Sequence, residues 1–199
     1  AQAIKDAGLI RLTVSLDSLD NEVFQVLNGR KSTVDRVLAG FHKAEEVGFS
    51  PIKINCVVKR GVNDHTIVDL ACYFQDTPHI VRFIEYMDVG TCNHWDRKYV
   101  VPSKEILQII NTKYPVKAVN QQYYGEVASR YRFEDDQGEI GFISSVTQPF
   151  CQSCTRIRLT TDGRLVTCLF AETGPNIKEI LRNGADNETL KQFIRTVWR

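Results

Sequence analysis

Hydrophobic and polar residues alternate with a period of two in the first half of the chain. Residues 10–16 and 52–58 place apolar side chains on one face and polar side chains on the other, and 80–87 form a third largely apolar run. A period of two is typical of a β-strand with one buried face. The segments between them, 33–47 and about 63–75, repeat apolar positions at helical spacing. The sequence therefore predicts a β-α-β-α-β series, which forms parallel sheets, either open or closed into a barrel.

The pattern changes after Met87. Residues 88–102 have the composition of a long loop, and a helix is predicted over 103–113. Four strands without intervening helices and two final helices are then predicted, at 123–133, 139–146, 156–160, 164–170, 176–182 and 188–198. The change predicts a domain boundary in the loop, which divides the chain into domains 1–100 and 101–199. A complete eightfold β/α barrel needs about 250 residues, so this chain can hold only part of one.

Length and charge limit the classes of protein to which the chain can belong. Its 199 residues carry 25 Lys plus Arg against 24 Asp plus Glu, a formal net charge of +1. A general nucleic-acid binder carries an excess of basic residues, so we expect no nucleic-acid partner. No stretch approaches the roughly 20 apolar residues that span a bilayer, so we expect no membrane partner. Residues 1–6 lack a signal-peptide profile, and the chain does not begin with Met, which indicates part of a longer protein.

Three of the six cysteines are close in sequence. Cys151 and Cys154 are separated by two residues, and Cys168 lies on the far strand of a predicted hairpin that turns at 161–163. This spacing predicts one site with three thiolate ligands. Because all four histidines lie in the first half of the chain, an iron–sulfur cluster with one open iron suits the site. A zinc knuckle completed by a distant His or Cys remains the alternative.

Two arginines follow the first pair of cysteines. Arg156 and Arg158 are two residues apart in a predicted strand, so both side chains point to one face and project beside the metal. Guanidinium groups match phosphate oxygens with two parallel hydrogen bonds. The pair therefore predicts a phosphorylated substrate, although two ordinary arginines on a solvated strand edge would have the same spacing.

Taken together, these motifs resemble the radical-SAM GTP 3′,8-cyclase family, which performs the first step of molybdenum cofactor synthesis. The resemblance rests on the Cys-x-x-Cys-Thr-Arg-x-Arg motif, on Cys168-Leu-Phe-Ala, and on the segments 14–20, 53–55, 60–64, 82–90, 125–128 and 141–146. It covers essentially the whole chain. It implies the later part of an incomplete TIM-type β/α barrel, followed by a C-terminal α+β domain that carries an iron–sulfur site.

The resemblance also implies a reaction. GTP is converted to (8S)-3′,8-cyclo-7,8-dihydroguanosine 5′-triphosphate. A 5′-deoxyadenosyl radical, formed from S-adenosylmethionine, removes a ribose hydrogen, and C3′ then joins C8 of guanine. Radical chemistry of this kind belongs to the cofactor, so the protein must bind, orient and shield the reactants. No catalytic residue is assigned.

The same resemblance assigns roles to residues of this chain. The ligands of the C-terminal 4Fe–4S cluster are Cys151, Cys154 and Cys168. The residues that bind GTP are Lys53, Arg156 and Arg158. Those that contact S-adenosylmethionine are Ser15 and Met87. Arg82 and Asn55 are further candidates for lining the site, and Glu85 is an equally good candidate for a structural ion pair.

The chain also departs from the family pattern. The N-terminal Cys-x-x-x-Cys-x-x-Cys motif and a C-terminal tail with paired glycines are both absent. We therefore expect a fragment that lacks both ends. The missing N-terminal part is expected to hold a second 4Fe–4S cluster. Without that part, the fragment is not expected to cleave S-adenosylmethionine. Cys56 and Cys72 are predicted to be core residues, and Cys92 a loop thiol without a role.

The expected partners are GTP, S-adenosylmethionine, a reductant and the next enzyme of the pathway, and a homodimer stays open. A bacterial source would place the protein in the cytoplasm, and a eukaryotic source in the mitochondrial matrix. Two other functions stay open: a non-catalytic zinc-binding module, and a radical-SAM enzyme that modifies peptides and carries an auxiliary cluster.

Overall fold

The computed structural model describes residues 1–89, 94–134 and 137–198, and its main element is a six-stranded sheet. The strands follow the order β1-β2-β3-β6-β5-β4 across the sheet. Their bounds are β1 Thr13–Ser15, β2 Lys53–Val58, β3 Ile80–Glu85, β4 Val116–Val119, β5 Ser129–Phe133 and β6 Glu139–Ile143. The first four neighbours in this order are parallel, and β5 and β4 are added antiparallel.

Seven α-helices accompany the strands in the described ranges. Their bounds are α1 Gln2–Asp6, α2 Asn21–Asn28, α3 Val34–Glu46, α4 Ile67–Tyr73, α5 Ser103–Lys113, α6 Ile177–Arg182 and α7 Asn187–Trp198. Single turns of 3-10 helix occupy Arg97–Tyr99 and Cys151–Ser153. No helix in the part of the chain that the structure describes is both long and apolar enough to cross a membrane.

One face of the sheet forms the hydrophobic core. Ile54, Cys56 and Val58 alternate along β2 and are completely buried. They belong to one cluster with apolar residues of α3, α4 and α5, among them Phe41 and Ile106. Because side chains alternate along a strand, the residues between them face the other side of the sheet, where Lys53 and Asn55 remain partly exposed.

The helices and strands predicted up to residue 113 are present, but several of them differ in length from the prediction. The helices predicted over 33–47 and 103–113 are α3 and α5. The strand predicted over 10–16 is limited to the three residues of β1, although the backbones of Leu12 and Leu16 on either side also form hydrogen bonds with Lys53 and Asn55 of β2. The helix predicted to start at residue 63 or 64 starts at Ile67, because the Asn63 side chain is buried and bonds to the backbone of neighbouring segments.

The chain separates into two compact units. The first comprises residues 1–87 and 95–152 and contains the six-stranded sheet. The second comprises the described residues of 88–94 and 153–199. Within it, β7 Arg158–Leu159 and β8 Leu165–Val166 form the predicted hairpin, and Gly163 supplies the positive φ of its turn. This division follows packing alone and does not test function. The functional domains 1–100 and 101–199 therefore stay a prediction.

Candidate functional site

The partly exposed face of the six-stranded sheet in the first unit carries aligned polar residues. Ser15 on β1 is in register with Asn55 on β2, and Asn55 with Arg82 on β3. The row continues through Gly141 on β6 to Arg130 on β5. Residues in register on neighbouring strands point to the same face, so strand pairing alone gathers these side chains.

A shallow, open cavity that encloses about 20 Å³ lies on this face. Its lining residues are Lys53, Ile80, Arg82, Gln122, Tyr123, Glu126, Val127, Ala128, Arg130, Glu139 and Gly141. Lys53 and Arg82, the predicted GTP-binding lysine and the further candidate of the sequence analysis, therefore line one cavity.

Both cations are partly removed from water. Burial lowers the pKa of Lys53, and the positive charge of Arg82 lowers it further, although Glu126 and Glu139 act in the opposite direction. Burial also lowers the pKa of Arg82, whose Nε donates a hydrogen bond of 2.9 Å to Oδ1 of Asn55. A negatively charged ligand in the cavity would restore the electrostatic stabilisation that burial removes.

Two carboxylates lie on the same cavity and have partners of their own. Glu139 forms two hydrogen bonds with Arg130, at 2.7 and 2.6 Å, and this pair is largely buried. Glu126 is buried and accepts a hydrogen bond of 2.8 Å from the backbone N–H of Gln122. The Arg130–Glu139 pair is internally neutral, so the remaining charges are two cations against one carboxylate. Arg130, Glu126 and Glu139 are not among the residues predicted for the site. Alternation along the short strands β5 and β6 was the available signal for Arg130 and Glu139.

The two predicted contacts of S-adenosylmethionine follow strands of the parallel part of the sheet. Ser15 is the last residue of β1 and is exposed, and Met87 lies two residues after β3 and is half-buried. The carboxyl ends of parallel strands lie at one edge of a sheet, which is the edge at which open α/β sheets bind ligands. The positions are compatible with a shared ligand, and the assignment of both residues stays a prediction.

In the second unit, the two predicted phosphate-binding arginines act on one cysteine. The backbone N–H of Arg156 donates to Sγ of Cys154 and lowers the pKa of its thiol, against the opposing effect of burial. The Arg156 side chain donates from Nη2 at 3.4 Å, and the charges of Arg156 and Arg158 lower this pKa further. Arg156 lies outside β7, so the predicted strand over 156–160 is shorter, but both guanidinium groups still act on Cys154.

The three predicted cluster ligands are free thiols. Cys151 opens its 3-10 helix and is exposed, Cys154 is half-buried, and Cys168 is exposed and accepts a hydrogen bond of 3.4 Å from the N–H of Phe170. Thiolates are the ligands of iron–sulfur clusters, and the lowered pKa of Cys154 favours its thiolate form, so the donor chemistry fits such a cluster. Within residues 1–89, 94–134 and 137–198, no group of three or more His, Cys, Asp or Glu side chains is gathered around one metal position.

The remaining cysteines give mixed outcomes. Cys56 is completely buried, as predicted. The prediction that Cys72 is a core residue is wrong: it is exposed on α4, where the hydroxyl of Tyr114 donates to its Sγ at 3.0 Å. Helical spacing located α4 but did not tell which of its apolar residues sits at the margin of the buried face. Cys92 lies outside the described residues.

The chain is similar in sequence to two known families and to several named proteins. The model of a family described as "Radical SAM superfamily" matches residues 1–74, and that of "Molybdenum Cofactor Synthesis C" matches residues 79–199. A "GTP 3′,8-cyclase" of Acidothermus cellulolyticus is 45% identical over 202 residues, which cover 100% of this chain and 56% of the relative.

Two other relatives with the same name give a similar result. The protein of Xanthomonas axonopodis pv. citri is 44% identical over 198 residues, with 100% of this chain and 59% of the relative covered. The protein of Staphylococcus carnosus is also 44% identical over 198 residues, with 99% and 58% covered. The chain therefore spans a little over half the length of the curated relatives that it matches.

Proposed function

Because this chain belongs to the GTP 3′,8-cyclase family, we propose that it is part of an enzyme that converts GTP to (8S)-3′,8-cyclo-7,8-dihydroguanosine 5′-triphosphate. The proposal includes the place of this reaction as the first step of molybdenum cofactor synthesis. The order of the two family matches, radical SAM and then molybdenum cofactor synthesis, supports it. The proposed domains are a partial TIM-type β/α barrel over 1–100 and a cluster- and GTP-binding domain over 101–199.

The observation that carries the proposal is the pair of cations on the polar face of the sheet. Lys53 and Arg82 line one cavity, and burial lowers the pKa of each. A triphosphate supplies the negative charge that such a pair stabilises through charge-assisted hydrogen bonds. The hydrogen bond from Arg82 to Asn55 fixes the direction of the guanidinium before a ligand arrives, which reduces the entropy lost on binding.

A second contribution to GTP binding comes from the arginines beside Cys154. We assign Arg156 and Arg158 to the substrate, and Cys151, Cys154 and Cys168 to a 4Fe–4S cluster. When bound, a cluster with three thiolate ligands offers one iron for coordination of the substrate. The lowered pKa of Cys154 supports this assignment, because only the thiolate is a ligand.

The cofactor of the reaction would be held at the carboxyl ends of the parallel strands. Ser15 and Met87 are the proposed contacts of S-adenosylmethionine, which supplies radical chemistry when bound. The role of the chain is to orient the cofactor and to exclude water. A second 4Fe–4S cluster, a reductant, the next enzyme of the pathway and a homodimer complete the proposed partners. Since the named relatives are bacterial, the proposed compartment is the cytoplasm.

Titration with GTP tests the proposal. Replacing Lys53 with alanine removes a charge-assisted contact of about 1.5–3 kcal/mol, so we expect the dissociation constant to rise about 10- to 150-fold. Lys43→Ala is the matched control, because Lys43 is an exposed lysine of α3 that pairs with Glu46. Calorimetry on the anaerobic, iron-reconstituted chain gives the dissociation constant of GTP for wild type and for each of the two variants. Equal affinity of wild type and Lys53→Ala for GTP would exclude the assigned cavity.

A further inference from the structure

A glutamate lies among the core residues at the end of β3. Side chains alternate along this strand, and Val81, Phe83 and Glu85 occupy its buried face. Glu85 is 0% exposed. An isolated carboxylate in such a place is strongly unfavourable, so its surroundings must supply hydrogen bonds.

Four donors satisfy the Glu85 carboxylate. Oε1 accepts the backbone N–H of Ser103 at 2.8 Å and the hydroxyl of Thr147 at 2.6 Å. Oε2 accepts the backbone N–H groups of Val146 and Thr147, each at 2.8 Å. All four donors are uncharged, so the carboxylate is held by directed hydrogen bonds and not by the ion pair expected from the sequence.

These bonds keep the side chain ionised. Burial raises the pKa of Glu85, but the hydroxyl of Thr147 and the three backbone N–H groups outweigh it, so the pKa is lowered. Oxygens that accept two hydrogen bonds each are suited to the charged form, and the protonated form would place a hydrogen against the donors.

The donors come from two segments that are distant in sequence from Glu85. Ser103 is the first residue of α5. Val146 and Thr147 lie in the seven-residue connection, 144–150, between the end of β6 at Ile143 and Cys151. All of these residues belong to the first compact unit. The carboxylate therefore fixes two consecutive backbone N–H groups of the connection to the end of β3.

We propose that Glu85 is a positioning residue for Cys151, because it sets the path of the chain by which this cysteine is presented to the iron–sulfur cluster. The inference rests on the proposed function, which makes Cys151 a cluster ligand. Glu85 does not touch the cluster; it acts through Val146 and Thr147. A shift of the connection would move the ligand without unfolding the sheet.

A carboxylate is required for this role. Glutamine has the same shape but offers one acceptor oxygen and one NH₂ group. Whichever way the amide turns, its NH₂ faces at least one backbone N–H of Ser103, Val146 or Thr147. Two donors pointed at each other repel, so Glu85→Gln is expected to displace either the connection or the start of α5.

The test uses the 199-residue chain, reconstituted anaerobically with iron and sulfide. Glu85→Gln, Cys151→Ala and wild type are compared by iron content and by visible and electron paramagnetic resonance spectra. Wild type is expected to hold about four irons per chain. We expect Glu85→Gln to lose iron and to give the spectrum of Cys151→Ala, while its circular dichroism spectrum stays that of wild type.

His79→Gln is the control for loss of a buried polar network. His79 is buried, its Nδ1 accepts the N–H of Ile52 at 3.0 Å, and its Nε2 lies 2.7 Å from Glu45. This variant is also destabilised, but its hydrogen bonds do not reach the connection, so it should keep the iron content and spectrum of wild type. Loss of iron in both variants would reduce Glu85 to an ordinary structural residue.

Thr147→Val covers the case in which Glu85→Gln does not fold. It removes only the hydroxyl bond to Oε1 and should change the spectrum in the same direction by a smaller amount. A wild-type spectrum in a folded Glu85→Gln, or in Thr147→Val where the former does not fold, overturns the inference and leaves the proposed function intact. Wild-type chain that binds zinc and no iron overturns both.

Discussion

The thiol of Cys154 shows how neighbouring residues can prepare a ligand. Its Sγ receives a backbone N–H and a guanidinium hydrogen from Arg156, and the charge of Arg158 acts on it as well. The hydrogen bond from the backbone N–H of Arg156 has the largest effect on the pKa of the thiol, and the guanidinium hydrogen bond and the two positive charges lower this pKa further. The same two arginines are proposed to bind the phosphates of GTP. A proposed cluster ligand and two proposed substrate-binding residues therefore lie within five residues of sequence.

Alkylation of the apo chain measures this effect. Because the pKa of Cys154 is lowered, more of it is thiolate at neutral pH, and the thiolate is the form that reacts with iodoacetamide. Arg156→Gln keeps the backbone N–H but loses the guanidinium group, so it should slow the reaction of Cys154. Arg182→Gln, at the exposed end of α6, should not. Mass spectrometry of the labelled peptides gives the rates. An unchanged rate in Arg156→Gln would show that the guanidinium group does not contribute to the lowered pKa of Cys154.

At the scale of elements, local signals account for most helices and fewer strands. α2 is absent from the sequence prediction, yet its signals are present: the Asp20 carboxylate accepts the N–H groups of Glu22 and Val23, and Gly29 ends the helix with a positive φ. β7 has two residues, too few for a pattern with a period of two. Its existence depends on pairing with β8, and the local signal for that pairing is the turn at Gly163 between the two strands.

Removal of the α2 cap is a direct measure of the local signal. Asp20→Ala leaves two backbone N–H groups without their acceptor and should lower the free energy of unfolding by about 1 kcal/mol. Asp76→Ala, an exposed carboxylate in the turn after α4, should change it by less than about 0.5 kcal/mol. Urea denaturation followed by circular dichroism compares the two. Equal losses would mean that the cap contributes nothing specific.

At the scale of the molecule, the sheet joins segments that the sequence pattern separates. The sequence pattern gives no sign that strands after Met87 pair with strands before it, yet β6 pairs with β3 in parallel and β5 continues the same sheet. The register brings Gly141 and Arg130 into the row of Asn55 and Arg82. Pairing between strands more than fifty residues apart has no local signature. Single residues of the cavity, such as Lys53 and Arg82, could therefore be predicted from the sequence, but the assembled cavity could not.

The long-range role of Glu85 predicts a specific dependence of stability on pH. Its folded-state pKa is lowered from an ordinary value near 4.5, so ionised Glu85 stabilises the fold above that value. This contribution is lost as the pH falls through the folded-state pKa, because protonation removes acceptor capacity from a buried group. Wild type should therefore exceed Glu85→Gln in free energy of unfolding by the largest margin at neutral pH. The margin should shrink below pH of about 4.5.

Urea denaturation at a series of pH values gives the difference between the two proteins. Other titrating groups, such as Asp17 with its raised pKa, contribute equally to both and cancel in this difference. A margin that stays constant from neutral to acid pH would show that the hydrogen bonds of Glu85 do not depend on its charge. Since three of its four donors are backbone N–H groups, which can only donate, the charged form is the one that all four can bind at once.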